Sequence, residues 1–274
     1  MHAAVSLFFG AITMTISNVN WSALLSDAVN QPGILSSAYS TFHTYSVGNQ
    51  MLAWSQLSAR NEQPSPIATY AKWKALGRQV KKGAKAIQLC MPVTIAKKDD
   101  SGEKTGDAFQ LFVLKNNWFS LSQTEGADYQ HEQTTPDWSK ELALLALGIT
   151  EVSFDYMDGN CQGYATGKNI AVNPVAILPH KTRFHELAHV VLGHTAENTM
   201  SDNERTPKCI KEVEAESVAY ICCSLLGLDG LVESRGYIQN WLQGNEITDK
   251  TAQRIFGAAE KILKAGKAKA EQAE

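Results

Sequence analysis

The chain has 274 residues, with 25 Lys and Arg against 28 Asp and Glu and a formal net charge of -3. That balance excludes a polycation that coats nucleic acid with its whole surface, so any nucleic-acid face has to come from local clustering of charge. Five Cys without a single CxxC spacing argue against a thiolate zinc site and fit free thiols in a reducing cytoplasm.

The first apolar run, residues 3–12, is too short to cross a bilayer and lacks the Lys or Arg that precede a secretory signal core. Met14 reads as the initiator, and residues 1–20 as a disordered extension. A short helix is expected over 21–29, ended by Gln31-Pro32-Gly33, and another over 49–60 from the spacing of Met51, Leu52 and Leu57. A third runs over 69–76, with Gly77 as its stop. Residues 86–95 and 109–119 carry β-branched and aromatic residues and read as a hairpin with a charged tip at 97–104. The polar stretch 120–135 reads as a linker.

Beyond it, Asp137 is expected to cap a helix that closes at Gly148. Short strands follow at 152–156, 162–166 and 169–172. Pro174 is expected to introduce a helix that Pro179 interrupts. Residues 181–192 form the next helix, with Gly193 as its stop, and 209–226 a long one. Two more are expected at 236–243 and 248–264, before an Ala/Lys/Glu-rich tail. The expectation is an α+β fold in two domains, residues 21–125 and 138–274, joined by a linker at 126–137.

The chemistry concentrates in His185-Glu186-Leu187-Ala188-His189. On a helix, residues four apart share a face, so two imidazoles can grip one ion, and the Glu after the first can act as general base. Zinc is the expected metal, although imidazole and carboxylate ligands accept other divalent ions. A third ligand is needed. Thr195 stands where the metzincin pattern requires His, and His194 lies past the helix stop, as a capping residue or a hydrogen-bonding partner of the site, with metal ligand as the lesser alternative. The acidic helix containing Glu212, Glu214 and Glu216 is the better source. Glu214 shares the apolar face of Val218 and Ile221, where an unpaired carboxylate is costly and a cation would relieve the cost. It is therefore favoured as ligand. Glu212 and Glu216 on the flanks stay open as ligands or as groups orienting an imidazole.

Between residues 60 and 98 stand Arg60, Lys72, Lys74, Arg78, Lys81, Lys82, Lys85, Lys97 and Lys98, opposed only by Glu62. Positive charge that follows phosphates, with rings that stack on bases, is the chemistry of single-strand binding. Tyr70 and Trp73 are candidate stacking partners, while Trp54 and Trp73 equally fit a core.

From about Tyr45 onward the chain resembles the ArdC-type antirestriction proteins of conjugative plasmids. The resemblance rests on Asn49-Gln50, the run from Tyr70 to Gly83, Gln123-Thr124-Glu125-Gly126, Gln162-Gly163-Tyr164, Asn173-Pro174, His185 to Thr195 and Glu212 to Tyr220. Met1 to Thr13 do not match. It implies a single-stranded DNA-binding domain followed by a zincin-like metallopeptidase domain, in proteins that protect incoming single-stranded plasmid DNA from restriction. On that basis zinc is expected on His185, His189 and Glu214, with Glu186 as general base for cleavage of a protein substrate. DNA is expected on Tyr70, Lys72, Trp73, Lys74, Arg78, Lys81, Lys82 and Lys85. The alternative is a DNA-binding protein whose metal site is structural or inactive.

Overall fold

The structure is a computed structural model that describes residues 19–98, 104–130, 137–155, 161–196, 207–242 and 246–267. The expected extension at 1–18, most of the hairpin tip (99–103), part of the linker (131–136) and the end of the tail (268–274) lie outside the described residues. The fold is α+β, as expected, and the chain divides into two compact units.

One unit holds Asn49–Glu132. Its centre is an antiparallel sheet of β1 (Ile67–Thr69), β4 (Lys104–Ser120) and β3 (Ile87–Lys98), in the order β1-β4-β3. A second ladder pairs β2 (Arg78–Val80) with β5 (Thr124–Gly126). Much of the expected linker is thus built: residues 121–123 form a tight turn closed by a reciprocal Ser120–Gln123 capping box, and β5 follows. Polar side chains bonding backbone hold this segment, which is why no apolar period announces it.

Helix α3 (Val47–Ser58) enters this unit at Asn49. Its amides act as a mock strand along the free edge of β3. Asn49 accepts from Cys90 N at 2.8 Å and donates to Cys90 O at 2.9 Å; Gln56 does the same for Gln88 at 2.9 and 2.8 Å. Arg60 continues the row by donating to the carbonyls of Lys85 and Ala86 at 2.8 and 3.0 Å. An edge covered this way offers no template for foreign strands. The short helix α4 (Tyr70–Ala75) follows β1 directly, with Thr69 as its cap.

The other unit joins Trp21–Gly48 to Gln133–Glu274. This differs from the expected division, which placed residues 21–48 with the DNA-binding part. The reason is hydrophobic. Helix α1 (Trp21–Asn30) and helix α2 (Ile34–Phe42), the latter not foreseen from periodicity, bury Trp21, Leu25, Val29, Leu35 and Phe42. Trp21 packs 6.2 Å from Phe256, and Tyr220 donates to the carbonyl of Ala28 at 3.3 Å. Each such side chain contributes about 1.5–3 kcal/mol.

This unit's sheet has the order β6-β8-β7, from β6 (Thr150–Glu151), β8 (Asn169–Val172) and β7 (Gly163–Thr166). The expected strand at 152–156 is shorter and earlier, and Phe154 beyond it packs its ring 5.8 Å from Tyr164. Four more helices surround α5 (Lys140–Leu147) and the sheet: α6 (Pro179–Val191), α7 (Lys208–Leu226), α8 (Leu231–Leu242) and α9 (Asp249–Ala265). Pro179 does not interrupt a helix but starts one at its first position, where a missing N–H costs nothing. Among the described residues no helix is long and apolar enough to cross a membrane.

Candidate metal centre

Helix α6 carries the HExxH run and is fixed at both ends. Arg183 clamps Glu151 of β6 with two bonds of 2.9 and 3.0 Å. Gly193, at φ +76°, ends the helix in the left-handed region. Helix α7 packs alongside, and its buried run from Val213 to Leu225 keeps the acidic face against α6.

His185 Nε2 and His189 Nε2 lie 3.1 Å apart. The carboxylate that meets them is that of Glu212: its Oε2 is 3.4 Å from His185 Nε2 and 3.7 Å from His189 Nε2. These are the described residues whose ligand atoms converge as a metal-holding group. The three separations match the edge of a tetrahedron around one ion, about 3.3 Å for ligand distances near 2.0–2.1 Å. The residues therefore fit a divalent ion.

Glu214, favoured from the sequence, is not the acid of this cluster. It is fully buried, as the helix-face argument requires, but both its oxygens are engaged elsewhere. Arg254 of α9 donates to Oε1 at 3.1 Å and His194 faces Oε2 at 2.8 Å. The cation that offsets the cost of this buried carboxylate is a guanidinium. Arg254 is distant in sequence, and no local pattern announces it.

Glu216 lies beside the cluster with its Oε2 3.0 Å from His185 Nδ1 and its Oε1 2.7 Å from Lys181 Nζ. It thereby holds the His185 ring with Nε2 toward Glu212. Burial disfavours charge on His185, but hydrogen bonds to Glu212 and Glu216 outweigh it and push its pKa up to about 9. The same bonds, from His185 and His189, hold Glu212 well below the usual carboxylate range. Glu186 is 7 % exposed, and burial raises its pKa. Burial likewise lowers the pKa of His194.

A cavity of about 440 Å³ opens over His185, Glu186, His189 and Glu212, with Gly163 and Tyr164 of β7 on its wall. β7 is an edge of its sheet among the described residues. Gly163 allows the close approach: a Cβ there would lie 3.1 Å from Glu186 Oε1 and 2.6 Å from Thr182 Cγ2.

The basic candidates, in the other unit, separate into two groups. Trp73, on α4, is 1 % exposed, donates to Phe119 O at 2.8 Å and meets Tyr129 edge-on at 5.3 Å. It is a core residue and no platform for a base. Arg78 is spent on its own fold, donating to Thr124 Oγ1 at 2.8 Å and to the carbonyl of Ala127. Lys81 is exposed but donates to Ser122 O at 2.9 Å. Lys72, Lys74, Lys82 and Lys85 are exposed, as is Tyr70 at 43 %.

Fold and site together define an α+β protein with a His–His–Glu constellation between two packed helices. Residues 15–133 match the family described as the N-terminal domain of anti-restriction factor ArdC. The fold as a whole is ArdC-like. It is similar to the metal-free crystal structure of antirestriction protein ArdC from plasmid R388, with 20 % identity and a TM-score of 0.50, over 90 % of this chain and 94 % of that one. The Mn(II)-bound structure of the same protein gives 21 % identity and a TM-score of 0.51, over 90 % and 93 %. No curated protein matches the chain in sequence.

Proposed function

We propose that this chain is an antirestriction protein whose HExxH unit is a divalent-metal-dependent peptidase centre and whose other unit binds single-stranded DNA. The observation that carries the enzymatic part is the convergence of His185 Nε2, His189 Nε2 and Glu212 Oε2 within 3.1–3.7 Å, beside buried Glu186. His185, His189 and Glu212 would hold the ion and leave one position open toward the cavity. Zinc fits this donor set, and so does manganese, the metal in the R388 relative.

The ion, when bound, supplies Lewis acidity that polarises a peptide carbonyl and acidifies nearby water. The remaining work belongs to the chain. Glu186 takes the proton of the attacking water on its carboxylate and returns it to the leaving amine. Glu216 and Lys181 hold the His185 ring. The edge of β7 offers backbone N–H and C=O groups to an extended peptide laid along the cavity. In the other unit Lys72, Lys74, Lys81, Lys82 and Lys85 supply charge for phosphates, and Tyr70 a ring for a base.

Titration with Zn²⁺ and Mn²⁺ tests the metal centre. The expected result is one ion per chain, with affinity falling at least about 10-fold in Glu212→Ala. Unchanged binding in Glu212→Ala and in His185→Ala would remove the proposed site.

A further inference from the structure

Glu214, His194 and His189 form a continuous line of contacts that the metal cluster does not explain. Glu214 Oε1 accepts from Arg254 at 3.1 Å, and its Oε2 lies 2.8 Å from His194 Nε2. His194 Nδ1 lies 3.0 Å from His189 Nδ1, and His189 Nε2 is the atom that faces His185. The His194 side chain is 4 % exposed and that of Glu214 fully buried. Burial thus shields the line from exchange of partners with solvent.

We infer that Glu214, oriented by Arg254, fixes the tautomer of His189 through His194, so that His189 Nε2 presents a lone pair and not a proton to the metal position. The inference rests on the metal reading above for its purpose, but not for its logic. A carboxylate only accepts, so His194 Nε2 has to donate. A neutral imidazole holds one proton, so His194 Nδ1 is left as an acceptor. His189 Nδ1 then donates to it, and His189 Nε2 is bare. Glu216 orients His185 in one step, through Nδ1 at 3.0 Å. Two carboxylates, one acting directly and one through His194, turn both Nε2 atoms toward one point. His194 and Glu214 are positioning residues, and neither touches the reacting atoms.

The isosteric Glu214→Gln tests this sharply. Arg254 has only donors, so it retains the amide oxygen and turns the amide nitrogen toward His194. His194 Nε2 must then accept, His194 Nδ1 must donate, and the proton of His189 is driven onto Nε2. Imidazole ¹⁵N chemical shifts of the metal-free protein read this directly. The expected result is a proton on His189 Nδ1 in the wild type and on Nε2 in Glu214→Gln. Zn²⁺ affinity, measured by chelator competition, should fall about 10- to 100-fold. Adding Arg254→Met frees the amide to rotate and should restore both the tautomer and the affinity.

A His189 ring with the same tautomer in wild type and Glu214→Gln overturns the inference, as does a wild-type ring protonated on Nε2. If the wild type binds no metal but the tautomer switches, the metal reading fails and this one stands. Should Glu214→Gln not fold, His194→Ala decides. A mixture of His189 tautomers supports the inference, and a single Nδ1-protonated form overturns it.

Discussion

Gly163 of β7 leaves the space that the Glu186 carboxylate occupies: a Cβ at this position would stand 3.1 Å from Glu186 Oε1 and 2.9 Å from Ala171 O. The sheet edge and the HExxH helix can lie this close only because the side chain is missing. Gly163→Ala should therefore destabilise the protein by about 1–3 kcal/mol, as overpacking does, and displace Glu186. Denaturant unfolding measures the first effect. An alanine variant as stable as the wild type would show that the contact relaxes freely.

Glu186 is ionisable, buried and raised in pKa by that burial. Its unfolded-state carboxylate is ionised at neutral pH at no such cost, so ionised Glu186 subtracts from stability there. Glu186→Gln should leave Tm equal or higher and keep the metal. Peptide hydrolysis should fall by about 10²- to 10⁴-fold. Loss of both metal and stability in this variant would instead mark Glu186 as a structural group.

Glu151 ties β6 to the HExxH helix through Arg183, whose hydrogen bonds and charge lower the Glu151 pKa from its ordinary 4.5. A depressed carboxylate contributes stability that is present above 4.5 and is lost as pH falls through the folded-state value. Glu151→Gln should cost about 1 kcal/mol at pH 7. The difference from wild type should shrink below about pH 4. A pH-independent difference in urea midpoint would contradict this origin.

Trp73 and the exposed lysines predict opposite phenotypes. Trp73→Ala empties a core position and should cost about 3–5 kcal/mol. Lys82→Ala/Lys85→Ala should leave unfolding unchanged and weaken binding to a single-stranded oligonucleotide. The slope of log affinity on log salt should fall by about 0.7 for each phosphate that is no longer neutralised. Fluorescence anisotropy across a salt series reads this, and an unchanged slope would move the DNA surface elsewhere.

Trp21 precedes the unit of Asn49–Glu132 in sequence but packs on Phe256. Trp21→Ala should lower the stability of the unit that holds the candidate metal centre by about 3–5 kcal/mol. If that unit unfolds at its wild-type midpoint in this variant, α1 is not part of its core.

Sequence patterning alone settled much of this protein. Four-residue spacing made His185 and His189 neighbours, Gly193 stopped their helix, and the apolar periods located α6, α7 and α9. Those features depend on neighbours in the chain. What depended on contacts distant in the chain was open until the fold was known. The face of α7 places Glu214 inward, yet which cation meets it there depends on Arg254, 40 residues away. The same burial that suggested a metal ligand was satisfied by a guanidinium, and the flank acid Glu212 met the imidazoles. Trp73 and Arg78, indistinguishable in sequence from DNA contacts, were claimed by the carbonyls of Phe119 and Ala127. A side chain's type fixes what it can bond, and only the packing of remote segments decides which partner reaches it first.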